Sequence, residues 1–157
     1  MRILVCLGTH SQDFSRLAKA VDDYAGTVDY EFIVQTGVTH YPFKHIVKYF
    51  DYCSKDVMSD YMASADVLIL QGGWGGMEEA IDAGKRIVAV PRIEGLEHIH
   101  NQEQLVRKLD AMGCVIGCFD VDTLAACVEK ALTFRLMPLK KGLANTVISD
   151  CLKAWFE

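Results

Sequence analysis

Apolar runs alternate with amphipathic stretches along the whole chain. ILVCLG (3–8), YEFIVQTG (30–37), DVLILQ (66–71) and RIVAVP (86–91) are short runs of strand-forming residues, and HIVKYFD (45–51) and CVIGC (114–118) are weaker versions of the same pattern. Between them, apolar residues recur every three or four positions. Phe14, Leu17, Ala18 and Val21 do so within 13–25, and Val57, Met58, Tyr61 and Met62 within 54–65, a segment that opens on a capping Ser54. Further helices are predicted over about 75–83, over 100–113 with Gly113 as its stop, over 121–132, and beyond Pro138. Strand–helix alternation predicts a parallel sheet with helices on both faces. Strands this apolar are buried on both sides, as parallel strands are. The expected fold is therefore α/β, a doubly wound parallel sheet of about six strands. Residues 1–157 read as one domain, with no internal repeat, low-complexity segment or linker.

Composition narrows the function classes. The chain has 157 residues, 51% hydrophobic and 24% charged, which suits a globular domain with a sizeable core. A net charge of -5 argues against a general nucleic-acid binder, since a phosphate backbone requires a basic face. The six cysteines (Cys6, Cys53, Cys114, Cys118, Cys127 and Cys151) form neither a CxxC pair nor a zinc-ligand spacing, so no metal is predicted and the thiols read as reduced. No apolar stretch approaches the ~20 residues that span a bilayer. MRILVCLG passes straight into polar THSQDF, so no signal peptide is predicted and the expected location is cytoplasmic.

The chemistry concentrates in QGGWGGMEEA, where Gly72, Gly73, Gly75 and Gly76 crowd between an apolar run and a helical pattern. Glycine costs backbone entropy on folding, so such a cluster needs a reason. In a doubly wound sheet, ligands bind beyond the carboxyl ends of the strands, where this loop lies. Bare backbone opening a helix presents free N–H groups and a partial positive charge to an anion such as a diphosphate. The alternative is a tight turn that needs positive φ and close packing; four glycines exceed what one turn requires, and anion binding is the reading taken. The loop is neither a GxGxxG after the first strand nor a Walker loop, because no GK[ST] follows.

ADVLILQGGWGGMEEAIDAGKRIVAVPR followed by EHIHNQEQLVRKL resembles the carboxyl-terminal domain of GT-B glycosyltransferases of family 28, which include the peptidoglycan N-acetylglucosaminyltransferase. The opening ILVCLGTHSQDFSRLAKAVD resembles the stand-alone version of that domain, one subunit of a split transferase. Examples are the catalytic subunit of the dolichol-linked N-acetylglucosaminyltransferase and bacterial exopolysaccharide proteins of this size. The resemblance implies a Rossmann-like GT-B half-domain whose glycine loop, here Gly72, Gly73, Gly75 and Gly76, holds the diphosphate of a UDP-sugar. It implies that Glu79 accepts hydrogen bonds from the ribose hydroxyls; the alternative is a solvated helix residue. It implies a donor-sugar contact at Gln102 in the Asn101–Gln102 pair, which reads equally as a helix cap. Gly8 and Thr9 border the site. Three positions depart from the family: Gln71 stands where it often has His, Trp74 where it has a small residue, and Asn101–Gln102 where it often has His-Gln. Trp74 is read as packing on a neighbouring element, with stacking on a uracil or sugar as the alternative.

The resemblance further implies the donor-binding subunit of an inverting transferase that uses a UDP-sugar without cofactor or metal. A membrane-associated acceptor-binding subunit would supply the other half, hold a lipid-linked acceptor and recruit this chain to the inner face of the membrane. A base must deprotonate the acceptor; His10 and His98 are the candidates by position, and structural histidines are the alternative. A non-catalytic accessory subunit and a free-standing nucleotide-binding regulator are the rival functions. Beyond Pro138, Leu139, Leu143, Val147, Cys151 and Trp155 form an apolar stripe. Its end is expected to dock the partner, or a second copy in the isolated protein.

Overall fold

The computed structural model describes residues 1–139. Six parallel strands, β1 (Arg2–Cys6), β2 (Glu31–Gln35), β3 (Tyr49–Phe50), β4 (Val67–Gln71), β5 (Arg86–Val90) and β6 (Ile116–Gly117), form one sheet in the order β3-β2-β1-β4-β5-β6. The connecting helices are α1 (Ser15–Ala25), α2 (Lys55–Ser64), α3 (Trp74–Asp82), α4 (Gln102–Ala111) and α5 (Leu124–Thr133), the last entered through a 3-10 turn at Val121–Thr123.

The unbroken apolar runs are explained by two cores. Side chains alternate across a strand, so Ile3, Val5, Val67, Ile69, Val88 and Val90 face Phe14, Leu17, Val21, Leu124 and Val128 on one side. Leu4, Ile33, Leu68, Leu70, Ile87 and Ala89 face Met62, Met77, Ile81, Val106 and Leu109 on the other. Every one of these strand residues is buried.

The strand order reverses between β1 and β4: the chain winds outward through β2 and β3 in one direction and through β5 and β6 in the other. The loops that follow β1 and β4 diverge, leaving a crevice at their carboxyl ends. That crevice positions the site.

Two expectations need correction. The strand expected at 45–51 shrinks to Tyr49–Phe50. Its approach is occupied by Asp22, a buried carboxylate that accepts the N–H groups of Lys44, His45 and Ile46, so those amides are not available to a ladder. Val57, expected on the buried face of α2, is exposed, whereas Met62 is buried. Ser54 does cap α2, accepting from Val57 N at 3.4 Å. No helix among the described residues is long and apolar enough to cross a membrane. The apolar stripe beyond Pro138 lies, after Leu139, outside the described residues.

Candidate active site at the β1–β4 crevice

The glycine loop leaves β4 through Gln71. Gly72 N–H donates to Val90 O at 3.0 Å and Gly73 N–H to Gln71 O at 2.9 Å. Gly73 is then the N-cap of α3, and no side chain caps the helix. The first-turn amides therefore remain as donors at the positive end of the helix dipole. None of the four glycines has a positive φ, so turn geometry does not demand them. Two of them are walled in. A Cβ on Gly72 would lie 3.0 Å from Gln102 Oε1, Pro91 Cα and Val106 Cγ2, and one on Gly73 would run into Gln71 Nε2. Gly75 and Gly76 have nothing within 4 Å of a Cβ position. The first turn of α3 thus bares its backbone to open space.

The loop after β1 is held against this turn by residues from three elements. Gly8, at φ 93°, donates its N–H to Gln35 Oε1 at 3.2 Å, and Gln35 Nε2 donates to Gly8 O at 3.2 Å and to Asp51 O at 2.9 Å. Gly37, at φ 58°, packs so closely on Gly8 O that no Cβ fits. Arg92, only 2% exposed, clamps the next segment: Nη2 donates to Leu7 O at 2.8 Å, and Nη1 to Gln12 O at 2.9 Å, Asp13 O at 3.1 Å and Glu97 O at 3.2 Å. Its guanidinium also lies 4.4 Å above the Phe14 ring. Burial lowers Arg92 from its ordinary value, and the neighbouring Glu97 and Asp13 partly restore it. Glu97 meanwhile pairs with Arg16 at 2.8 Å and accepts Ile93 N–H at 2.9 Å. One buried cation therefore fixes the loops after β1 and β5 to each other.

Two cavities open on either side of the glycine loop. One, of about 330 Å³, is lined by Gly8, Thr9, Tyr52, Met58, Gly76 and Glu79 among others. The second, of about 520 Å³, is lined by Thr9, His10, Gly72, Gly73, Trp74, His98, His100, Asn101 and Gln102 among others. Thr9 and Gln71 border both. The structure thus gathers Gly8, Thr9, His10, the glycine loop, Glu79, His98, Asn101 and Gln102 around one crevice.

Within it, Glu79 is exposed toward the first cavity. Trp74 is 41% exposed and lines the second, so it is not the packing residue expected of it. Asn101 caps α4, its Oδ1 accepting Gln104 N–H at 3.1 Å. Gln102 is buried: Nε2 donates to Gln71 Oε1 at 2.9 Å, and Oε1 accepts Arg92 N–H at 3.0 Å. Its carboxamide joins the loops after β4 and β5. Burial raises the Cys6 thiol, beneath the first cavity, to about 12.

Sequence reasoning missed Gln71, Gln35, Gly37 and Arg92 as parts of the site. A polar residue ending an apolar strand is the signal shared by Gln35 and Gln71, and an arginine directly after a strand and a proline is the signal at Arg92. Among the described residues, no group of three or more His, Cys, Asp or Glu side chains is arranged to hold a metal ion.

This architecture recurs in solved glycosyltransferases. The kitacinnamycin glycotransferase matches with a TM-score of 0.66 at 18% identity, over 84% of this chain and 34% of that one. SnogD from Streptomyces nogalater matches with a TM-score of 0.60 at 22% identity, over 84% and 34%. The Streptomyces glycosyltransferase SsfS6, solved with thymidine diphosphate, matches with a TM-score of 0.59 at 22% identity, over 82% and 32%. This chain therefore spans about a third of the length of these neighbours, and at such identities the likeness shows the GT-B half-domain fold. No curated protein matches the sequence. The glycosyltransferase family 28 C-terminal domain matches residues 2–150, nearly the whole chain, and the protein belongs to that family.

Proposed function

We propose that this chain is the donor-binding half of a two-subunit inverting glycosyltransferase. It would take a sugar from a UDP-sugar and deliver it to a lipid-linked acceptor held by a membrane-associated partner, in polysaccharide biosynthesis. The observation that carries this reading is the bare first turn of α3, Gly75–Gly76, set between two cavities at the reversal of strand order. A diphosphate on that turn lies on free amides. The nucleoside then extends into the cavity bordered by Glu79, whose carboxylate accepts two hydrogen bonds from the ribose diol. The sugar extends into the cavity of Trp74 and Gln71. Thymidine diphosphate in SsfS6 supports a nucleoside diphosphate as the ligand class of this fold.

In the transfer, the acceptor oxygen attacks the anomeric carbon and the bond to the distal phosphate oxygen breaks. The amides at the start of α3 stabilise the charge left on the diphosphate.

One observation favours the accessory-subunit alternative. Both ends of the Gln102 carboxamide are engaged inside the protein, which leaves one N–H and one lone pair at most for a donor sugar. Two measurements decide between the readings. Calorimetric titration with UDP is expected to show binding; a folded chain that binds no UDP would sink the donor-binding reading. Co-purification with a membrane partner, followed by transfer assays with a panel of UDP-sugars, is expected to show turnover only when both proteins are present.

A further inference from the structure

The cavity on the Trp74 side contains three imidazoles. His10 comes from the loop after β1, and His98 and His100 from the loop after β5. The His10 and His98 rings stand 4.3 Å apart between centroids, and His98 and His100 5.5 Å. The first two rings each spend Nδ1 on their own loop. Gln12 N–H donates to His10 Nδ1 at 3.3 Å, and His100 N–H donates to His98 Nδ1 at 3.0 Å. A backbone N–H can only donate, so Nδ1 accepts in the neutral form of each ring, in His98 through the shorter of its two contacts with His100, and the proton sits on Nε2. Neither Nε2 has a hydrogen-bond partner among the described residues. Two imidazoles whose Nε2 atoms have no partner among the described residues therefore line one cavity side by side, across the glycine loop from Glu79.

The charges around them are those of an anion site. His98 is faced by His10 from the β1 loop, His100 on its own loop and Arg92 from the end of β5. Burial first, and then these charges, hold it below the ordinary histidine value, against the raising effect of its hydrogen bond with the His100 backbone. The nearest carboxylate on its loop, Glu97, is turned to Arg16 and Ile93 N, and Glu94 is exposed. A histidine base is typically oriented by a carboxylate that stabilises its charged form; here the surroundings oppose that form. An incoming anion supplies the missing negative charge. On protonation, His98 Nδ1 gives up the His100 N–H and donates to His100 O, 3.3 Å away.

We propose that His10 and His98 are Nε2–H donors to the distal phosphate of the bound nucleoside diphosphate, and that neither is the base that deprotonates the acceptor. This rests on the donor-binding reading above. When the bond from the anomeric carbon to the distal phosphate oxygen breaks, its electron pair stays on that oxygen, facing the two imidazoles. The acceptor proton leaves to a base on the partner's side of the cleft.

The test is titration of the full chain with UDP and with UMP from about pH 6 to 8, in buffers of different ionisation enthalpy. UDP binding is expected to take up protons on the acid side of this range. His98→Gln keeps an N–H donor, so it is expected to abolish the uptake while losing only about threefold in affinity; His10→Ala and His98→Ala are expected to lose about tenfold for UDP and little for UMP. Equal losses for both nucleotides, or none for UDP, would overturn the assignment. Nitrogen-15 NMR of the wild-type imidazoles is expected to show the Nε2–H tautomer, and the opposite tautomer would overturn it without any variant. No UDP binding at all overturns this reading and the donor-binding one together, whereas binding that depends on Glu79 but not on the histidines overturns only this one. With the partner present, a loss of transfer of about 100-fold or more in His98→Gln at unchanged UDP affinity would make His98 the base instead.

Discussion

Gly72 and Gly76 are four residues apart where β4 passes into α3, and they are glycine for opposite reasons. Around Gly72 the space is full: backbone at Pro91 and side chains at Gln102 and Val106 all stand 3.0 Å from where a Cβ would be. Around Gly76 there is nothing within 4 Å. The first glycine lets β4, β5 and α4 close on one another; the second leaves a helix start uncovered when the fold does not require it. Unused room beside free amides in a crevice points to a ligand, whereas a glycine in a crowded position points to packing. A glycine-rich motif read as a unit hides this division.

Breaking the comparison at its packed end carries the largest effect. Gly72→Val forces β-branched bulk against the Pro91 backbone, which cannot swing aside. It is expected to destabilise the fold by about 1–3 kcal/mol through overpacking, read as a lower urea midpoint. A wild-type midpoint in Gly72→Val would mean that the close contacts relax freely and that the packed half of the loop is not packed.

Glu79 tests the open end from the ligand's side. It is exposed, and it lines the cavity that Gly76 borders. Glu79→Ala is expected to weaken UDP binding by about 1–3 kcal/mol, as for a lost hydrogen bond to a charged group, without lowering stability. Glu78→Ala, one position earlier and outside that cavity lining, is expected to change affinity much less. Calorimetric titration of both variants checks this; equal effects would return Glu79 to the role of a solvated helix residue.

The same division shows what could be read from the sequence. β1, β4 and β5 were legible because burial on both faces makes every residue apolar, and the sheet confirms each. The Ser54 cap was legible because capping is local. The place of the glycine loop followed from strand–helix alternation alone. What stayed hidden is set by long-range pairing. Asp22 truncates the β3 segment from more than twenty residues away in sequence, and Gln102 meets Gln71 across 31 residues. Arg92 reaches back 85 residues to Leu7 O. No local periodicity encodes such partners. The exposure of Trp74 was hidden for a related reason: an indole reads as core material until the neighbours that fail to cover it are known.

The smallest effect is also the one that most sharpens the contrast, because stability and binding should move in opposite directions. Gly76 sits in the first turn of α3, without a positive φ and with open space at its Cβ. Gly76→Ala therefore restricts the unfolded chain without straining the folded one. It is expected to stabilise the isolated protein by about 0.4–1 kcal/mol, seen as a higher urea midpoint. The added methyl projects where the backbone is bare, so UDP affinity is expected to fall in the same variant. At Gly72 even alanine meets the 3.0 Å wall, so no gain in stability is expected there. If Gly76→Ala raises the midpoint and leaves affinity unchanged, the open turn is an accident of the fold and the diphosphate lies elsewhere. If it lowers the midpoint, the space beside Gly76 is not open and the distinction between the two ends of the loop fails.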